Sequence, residues 1–163
     1  MKIPIKYVID SGAWFKYHGE NISCGQYCGP VDFRFRVLSF DMINLNYVDE
    51  SEKFNRDYNP LSEGNYWIMK VEIVNLTKII LHCSHLSNMI VVLDQDGFEF
   101  STADWPLLSD SEYAEKSGLY DLPAFMTPKI KYIGAIAYFL PKEDGTEYFL
   151  SVNSLEGGNI QEV

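Results

Sequence analysis

The chain has 163 residues and a formal net charge of −10, with Asp and Glu outnumbering Lys and Arg by 23 to 13. That balance argues against a nucleic-acid binder, whose phosphates need a basic patch, and against docking on an anionic membrane. No apolar run reaches the roughly 18 residues needed to cross a bilayer. With 47% apolar and 15% aromatic residues, a chain of this size buries about 70% of its unfolded surface without a staple. It reads as one domain, residues 1–163. Met1-Lys2-Ile3-Pro4-Ile5-Lys6 places Pro and Lys where a signal peptide would be apolar, so the expected compartment is the cytoplasm.

In chain order, Lys2 to Ile9 reads as a first strand and Ala13 to Tyr17 as a second. Asn21 to Pro30 contains Cys24, Gly25, Cys28, Gly29 and Pro30 and reads as a loop or tight turn. Phe33, Phe35 and Val37 alternate with Arg34 and Arg36, the mark of an amphipathic strand. Asp41 to Gly64 is polar and irregular. Trp67, Met69, Val71 and Ile73 alternate with Ile68, Lys70 and Glu72, so Tyr66 onward is a half-buried strand. Met89 to Leu93 runs into Asp94-Gln95-Asp96-Gly97 and returns through Phe98-Glu99-Phe100, a hairpin.

Ser101 to Pro128 is again irregular. Ser109 and Glu112 fit a capping box and Gly118 a helix end, which predicts a short helix near Asp110 to Ser117. Ile130 to Leu140 is an apolar strand closed by Pro141. Glu143-Asp144-Gly145-Thr146 then turns into Tyr148-Phe149-Leu150. Short strands without intervening amphipathic helices predict an all-β antiparallel β-sandwich with one short helix in a long connection, which a resemblance carried by residues 66–152 makes immunoglobulin-like. The expected core is Phe33, Phe35, Val37, Trp67, Met69, Val71, Ile73, Val91, Leu93, Ile136, Tyr138, Phe149 and Val152.

Three features of 66–152 carry a resemblance. Val71-Glu72-Ile73-Val74-Asn75 ends a strand in a V-x-N pattern. Asp94-Gln95-Asp96-Gly97-Phe98 is a D-x-D-G turn before an aromatic. Ala135-Ile136-Ala137-Tyr138-Phe139-Leu140-Pro141 reads small-x-aromatic-x-x-P. In this half the chain resembles the immunoglobulin-like domain of unknown function found in many bacterial lipoproteins and surface proteins. The resemblance implies a sandwich fold and an extracytoplasmic structural or accessory role in the bacterial envelope. It brings no catalytic residues.

All three Cys and two of the three His fall in two short segments, Cys24-x3-Cys28 and His82-Cys83-Ser84-His85. Cys24, Cys28, Cys83 and His85 supply four zinc-type ligands, but their spacing is not that of the common zinc knuckles. The simpler expectation is free thiols and no metal or cofactor. A disulfide between Cys24 and Cys28 requires an oxidising compartment. Cys83 has histidine neighbours but no nucleophile signature, and neither a G-x-S-x-G nor a P-loop is present. Asp94 to Gly97 begins like a calcium loop, yet the twelfth position is Trp105 where Glu is required. No catalysis is expected.

The charge distribution says more. Residues 41–63 hold six acidic against two basic side chains, and residues 101–123 hold five against one. Each segment therefore carries −4, together −8 of the −10. Both are aromatic: Tyr47, Phe54 and Tyr58 in the first, Trp105, Tyr113 and Tyr120 in the second. Tyr and Trp set among charges of one sign form the composition of a protein-binding patch. The candidate partner-binding residues are Asp104, Trp105, Asp110, Glu112, Tyr113, Glu115, Tyr120 and Asp121. The expected function is a non-catalytic binding module, an acidic inhibitor or immunity-type protein that engages a basic protein. The alternative is the envelope module that the resemblance implies.

Overall fold

A computed structural model describes residues 2–24, 27–42, 64–82, 89–100, 102, 122–141, 143, 145–154 and 157–163. In chain order they form β1 (Lys2–Pro4), α1 (Ile5–Ser11), β2 (Phe15–Cys24), β3 (Tyr27–Met42), β4 (Gly64–Asn75) and β5 (Leu81–His82). There follow β6 (Val92–Asp94), β7 (Glu99–Phe100), β8 (Phe125–Met126), β9 (Lys131–Pro141), β10 (Tyr148–Ser151) and β11 (Asn159–Glu162). The segment 43–63 and the expected helix at Asp110 to Ser117 lie outside the described residues.

Antiparallel pairing builds a five-stranded sheet in the order β11-β2-β3-β4-β9 and a four-stranded sheet in the order β1-β10-β6-β7; β5 and β8 form a separate pair. Period-2 patterning decides which face of the larger sheet is buried. Phe15 and Tyr17 on β2, Phe33, Phe35 and Val37 on β3, Met69, Val71 and Ile73 on β4, and Ile136 and Tyr138 on β9 all point into one core. Val92, Tyr148 and Leu150 of the smaller sheet join it. The fold is thus an all-β antiparallel sandwich. Cross-strand ring contacts add to the burial: Tyr17 stacks on Phe33 at 4.7 Å and Phe15 tilts on Phe35 at 5.9 Å. Such pairs contribute about 0.5–1.5 kcal/mol each beyond their area. The expected core is buried except for Trp67, Phe149 and Val152, which are half-buried. Phe149 alternates outward between Tyr148 and Leu150, where Lys2 Nζ lies 4.3 Å from its ring centre.

Four expectations are corrected. Lys2 to Ile9 is not one strand, because the chain turns helical at Ile5. Ile5 and Val8 are buried with Ile9 beside them, a 3.6-residue stripe packed on β3 and β10, and tertiary packing holds a helix this short. Gly12 ends it at φ 63°, a left-handed position suited to Gly, with its N–H donating to Ile9 O. Asn21 to Pro30 is mostly strand, since Ile22 pairs with Gly29, Ser23 with Cys28 and Cys24 with Tyr27. Gly29 and Pro30 are tolerated there because this part of β3 pairs on one side only; β4 joins it from Phe33. The strand expected at Met89 to Leu93 begins as a buried turn, and β6 starts at Val92. Finally, β4 is not half-buried. From Val71 to Asn75 the residues of both faces are buried; on the outward side the Arg36 and Lys131 side chains lie against Glu72.

Candidate functional site

The eight candidate partner-binding residues, Asp104 to Asp121, lie outside the described residues. The strands do establish where the acidic segments that hold such residues are rooted. The segment 43–63 leaves one residue after Met42, which pairs with Trp67, and rejoins at Gly64, which pairs with Pro141. The segment 103–121 leaves after Thr102, which bridges to Tyr138, and Tyr138 pairs with Trp67. Both acidic segments therefore depart from the same end of the sandwich, around Trp67. The described residues hold eleven acidic and nine basic side chains, a balance of −2, which leaves −8 of the total −10 to the rest of the chain.

At that end α1, β3, β4 and β10 border an open cleft of about 320 Å³. Phe40, Trp67 and Tyr148 line it from three different strands, with Ile5 and Ile9 of α1 opposite. The rings touch one another: Phe40 to Trp67 at 5.0 Å, Trp67 to Tyr148 at 5.4 Å edge-on, and Phe40 to Tyr148 at 5.9 Å edge-on. Lys6, Asp10 and Glu147 stand at the cleft and are exposed. Lys6 is paired with Asp10 at 2.6 Å one helical turn away. Glu147 has no ion-pair partner among the described residues. The Tyr148 phenol is held above its usual range, first by burial and then by the negative charges of Glu143 and Asp94. The cleft lining thus carries two carboxylates, Asp10 and Glu147, against one ammonium, Lys6. The sequence reasoning missed Phe40 and Tyr148 as site residues and assigned Trp67 to the core.

The polar outer face of the larger sheet is organised differently. His18 and Asp32 are cross-strand partners, with Nδ1 2.8 Å from Asp32 Oδ1 and Nε2 2.7 Å from Glu20 Oε1. Lys16 Nζ reaches the same Asp32 oxygen at 3.5 Å. Hydrogen bonding to Asp32, then to Glu20, holds the His18 pKa above 6.5. The two carboxylates sit on opposite ring nitrogens, so they do not converge on one ion. Arg36 grips Glu72 through two nitrogens at 2.6 and 3.1 Å, and Lys131 approaches the other oxygen at 3.8 Å. Trp14 covers this pair, with the guanidinium carbons of Arg34 and Arg36 each 5.1 Å from its ring centre. These are mutually satisfied structural pairs.

Cys28 is a free, exposed thiol opposite Ser23 in the β2–β3 ladder, with Cys24 in register with Tyr27. Cys83 and His85 lie outside the described residues. Among the described residues no group of three or more His, Cys, Asp or Glu is placed to hold a metal ion. Asp94 to Gly97 is a hairpin turn. Asp94 Oδ1 accepts from the amides of Asp96 and Phe98 at 2.9 and 3.0 Å, and Gly97 supplies φ 87°.

No family model and no curated protein matches this chain. Among solved structures it is similar to a conserved hypothetical protein from Bacillus anthracis, with 15% sequence identity, 85% of this chain and 91% of that chain covered, and a TM-score of 0.45. Nothing is carried over from that likeness.

Proposed function

We propose that the chain is a non-catalytic binding module, an acidic inhibitor or immunity-type protein that engages a basic protein partner. The observation that supports this is the common root of the two acidic segments. Both depart around Trp67, beside the Phe40, Trp67 and Tyr148 rings and a Glu147 carboxylate with no ion-pair partner among the described residues, while on the outer face His18 pairs with Asp32 and Arg36 with Glu72. A concentrated negative field steers a cationic partner and raises its association rate, with strong salt dependence. Trp105, Tyr113 and Tyr120, carried by the second segment, supply desolvated anchors once contact is made.

The test is capture of partners from the source cell at low and at high salt, alongside a variant carrying Asp110→Lys, Glu112→Lys and Glu115→Lys. A basic protein retained at low salt, released at high salt and lost by the variant is the expected result. Equal retention by the charge-reversed variant, or no basic protein retained at low salt, overturns the reading.

A further inference from the structure

We infer that the cleft between α1 and the strands β3, β4 and β10 receives one arginine side chain of the partner. This deepens the reading above, because the cation belongs to the basic protein. Phe40, Trp67 and Tyr148 border the cleft in mutual contact, two of the three pairs edge-on, and a cation within about 6 Å of an aromatic ring face is attracted by the ring quadrupole. Ile5 and Ile9 give the aliphatic stem of the side chain an apolar wall. Glu147 is exposed at the cleft and available to pair with an incoming guanidinium, whereas Asp10 is already engaged by Lys6. The volume, about 320 Å³, is at the bottom of the roughly 300–1,000 Å³ range of small-molecule sites, which suits a side chain rather than a cofactor. Guanidinium fits better than ammonium, being planar, weakly hydrated and able to stack on a ring while it hydrogen-bonds a carboxylate. The location agrees: a partner drawn in by the segments rooted at Met42, Gly64 and Thr102 arrives beside Trp67.

The experiment uses the intact protein and a small probe. N-acetyl-arginine amide is titrated while the indole N–H of Trp67 is followed by NMR, its signal assigned from a Trp67→Phe variant. N-acetyl-citrulline amide is the uncharged control of the same shape. The expected result is a saturable shift with the arginine probe and none with citrulline. Phe40→Ala, which keeps the Trp67 reporter, weakens the probe roughly ten-fold. Glu147→Gln, a change at an exposed position that leaves the core untouched, weakens it about five-fold, the size of one exposed ion pair. A citrulline shift equal to that of arginine, or no shift with either, overturns the inference. A lysine analogue that binds as tightly as arginine overturns the guanidinium assignment. If the cleft is silent while salt-sensitive capture persists, the cleft inference falls and the partner reading stands; if the probe binds and capture fails, the reverse holds.

Discussion

The two ends of the β3–β4 ladder treat polarity in opposite ways. At the Phe33–Asn75 end the polar atoms described satisfy one another. The buried Asn75 amide donates to the carbonyls of Ile79 and Met126 at 2.8 and 2.9 Å and accepts from the Thr77 amide at 2.8 Å. The Thr77 hydroxyl both accepts from and donates to the Asp32 backbone at 2.9 Å, and Asp32 in turn holds His18. At the Met42–Trp67 end Phe40 and Trp67 are half-buried, Glu147 is without an ion-pair partner among the described residues, and two acidic segments take their leave. One end closes its polar groups on itself, and the other is the end from which the proposed partner would be engaged.

If that contrast is right, substitutions at the two ends separate stability from binding. The largest stability loss is expected for Asn75→Ala, which leaves two buried carbonyls and an amide unsatisfied. About 3 kcal/mol should disappear from the denaturant unfolding free energy with partner affinity unchanged in the folded fraction. Tyr138→Phe comes next: Tyr138 pairs with Trp67, but its side chain belongs to the buried core. The phenol of Tyr138 is fully buried, its pKa driven far up by that burial, and it donates to Ile90 O at 2.8 Å. Removing it should cost about 1–2 kcal/mol in the same measurement.

His18→Gln should have a smaller, pH-dependent effect. Because the folded pKa of His18 is raised above 6.5, its charged pairing stabilises the protein fully below the unfolded value and is lost as pH rises through the folded one. Wild type and variant should therefore differ in thermal midpoint in mildly acidic buffer and converge in alkaline buffer. A gap that grows with rising pH would show that the pairing is not what stabilises this corner. Least of all, Glu147→Gln should move unfolding by under about 0.5 kcal/mol, as expected of an exposed side chain. A loss of several kcal/mol there would erase the contrast between the ends.

Much of the frame was legible because β3, β4 and β9 repeat apolar residues with period 2, and their buried face can be read directly. Asn75 could be read as a strand-end residue, but not as the anchor of three side-chain hydrogen bonds, since Met126 reaches it only through tertiary folding. The α1 stripe of Ile5, Val8 and Ile9 is barely two turns long and loses to the strand reading of Lys2 to Ile9. Glycines and Pro30 masked the β2–β3 hairpin because breaker residues signal loops unless one strand side is unpaired. The cleft was invisible in sequence for a different reason. Phe40, Trp67 and Tyr148 come from three strands, and cross-strand register, not spacing, brings their rings together.

The ladder between β3 and β4 has one more consequence. It pairs from Phe33–Asn75 to Met42–Trp67 with one bulge between Val37 and Ser39, so the chain ends that bound residues 43–63 are already held together by hydrogen bonds. Closure entropy grows only with the logarithm of loop length, and halving or doubling such a connection changes folding free energy by about 0.6 kcal/mol. The closure term therefore sets little limit on the length of the connection between Met42 and Gly64. Insertion and deletion there are a cheap way for descendants of this chain to vary while the strands on either side keep their pairing.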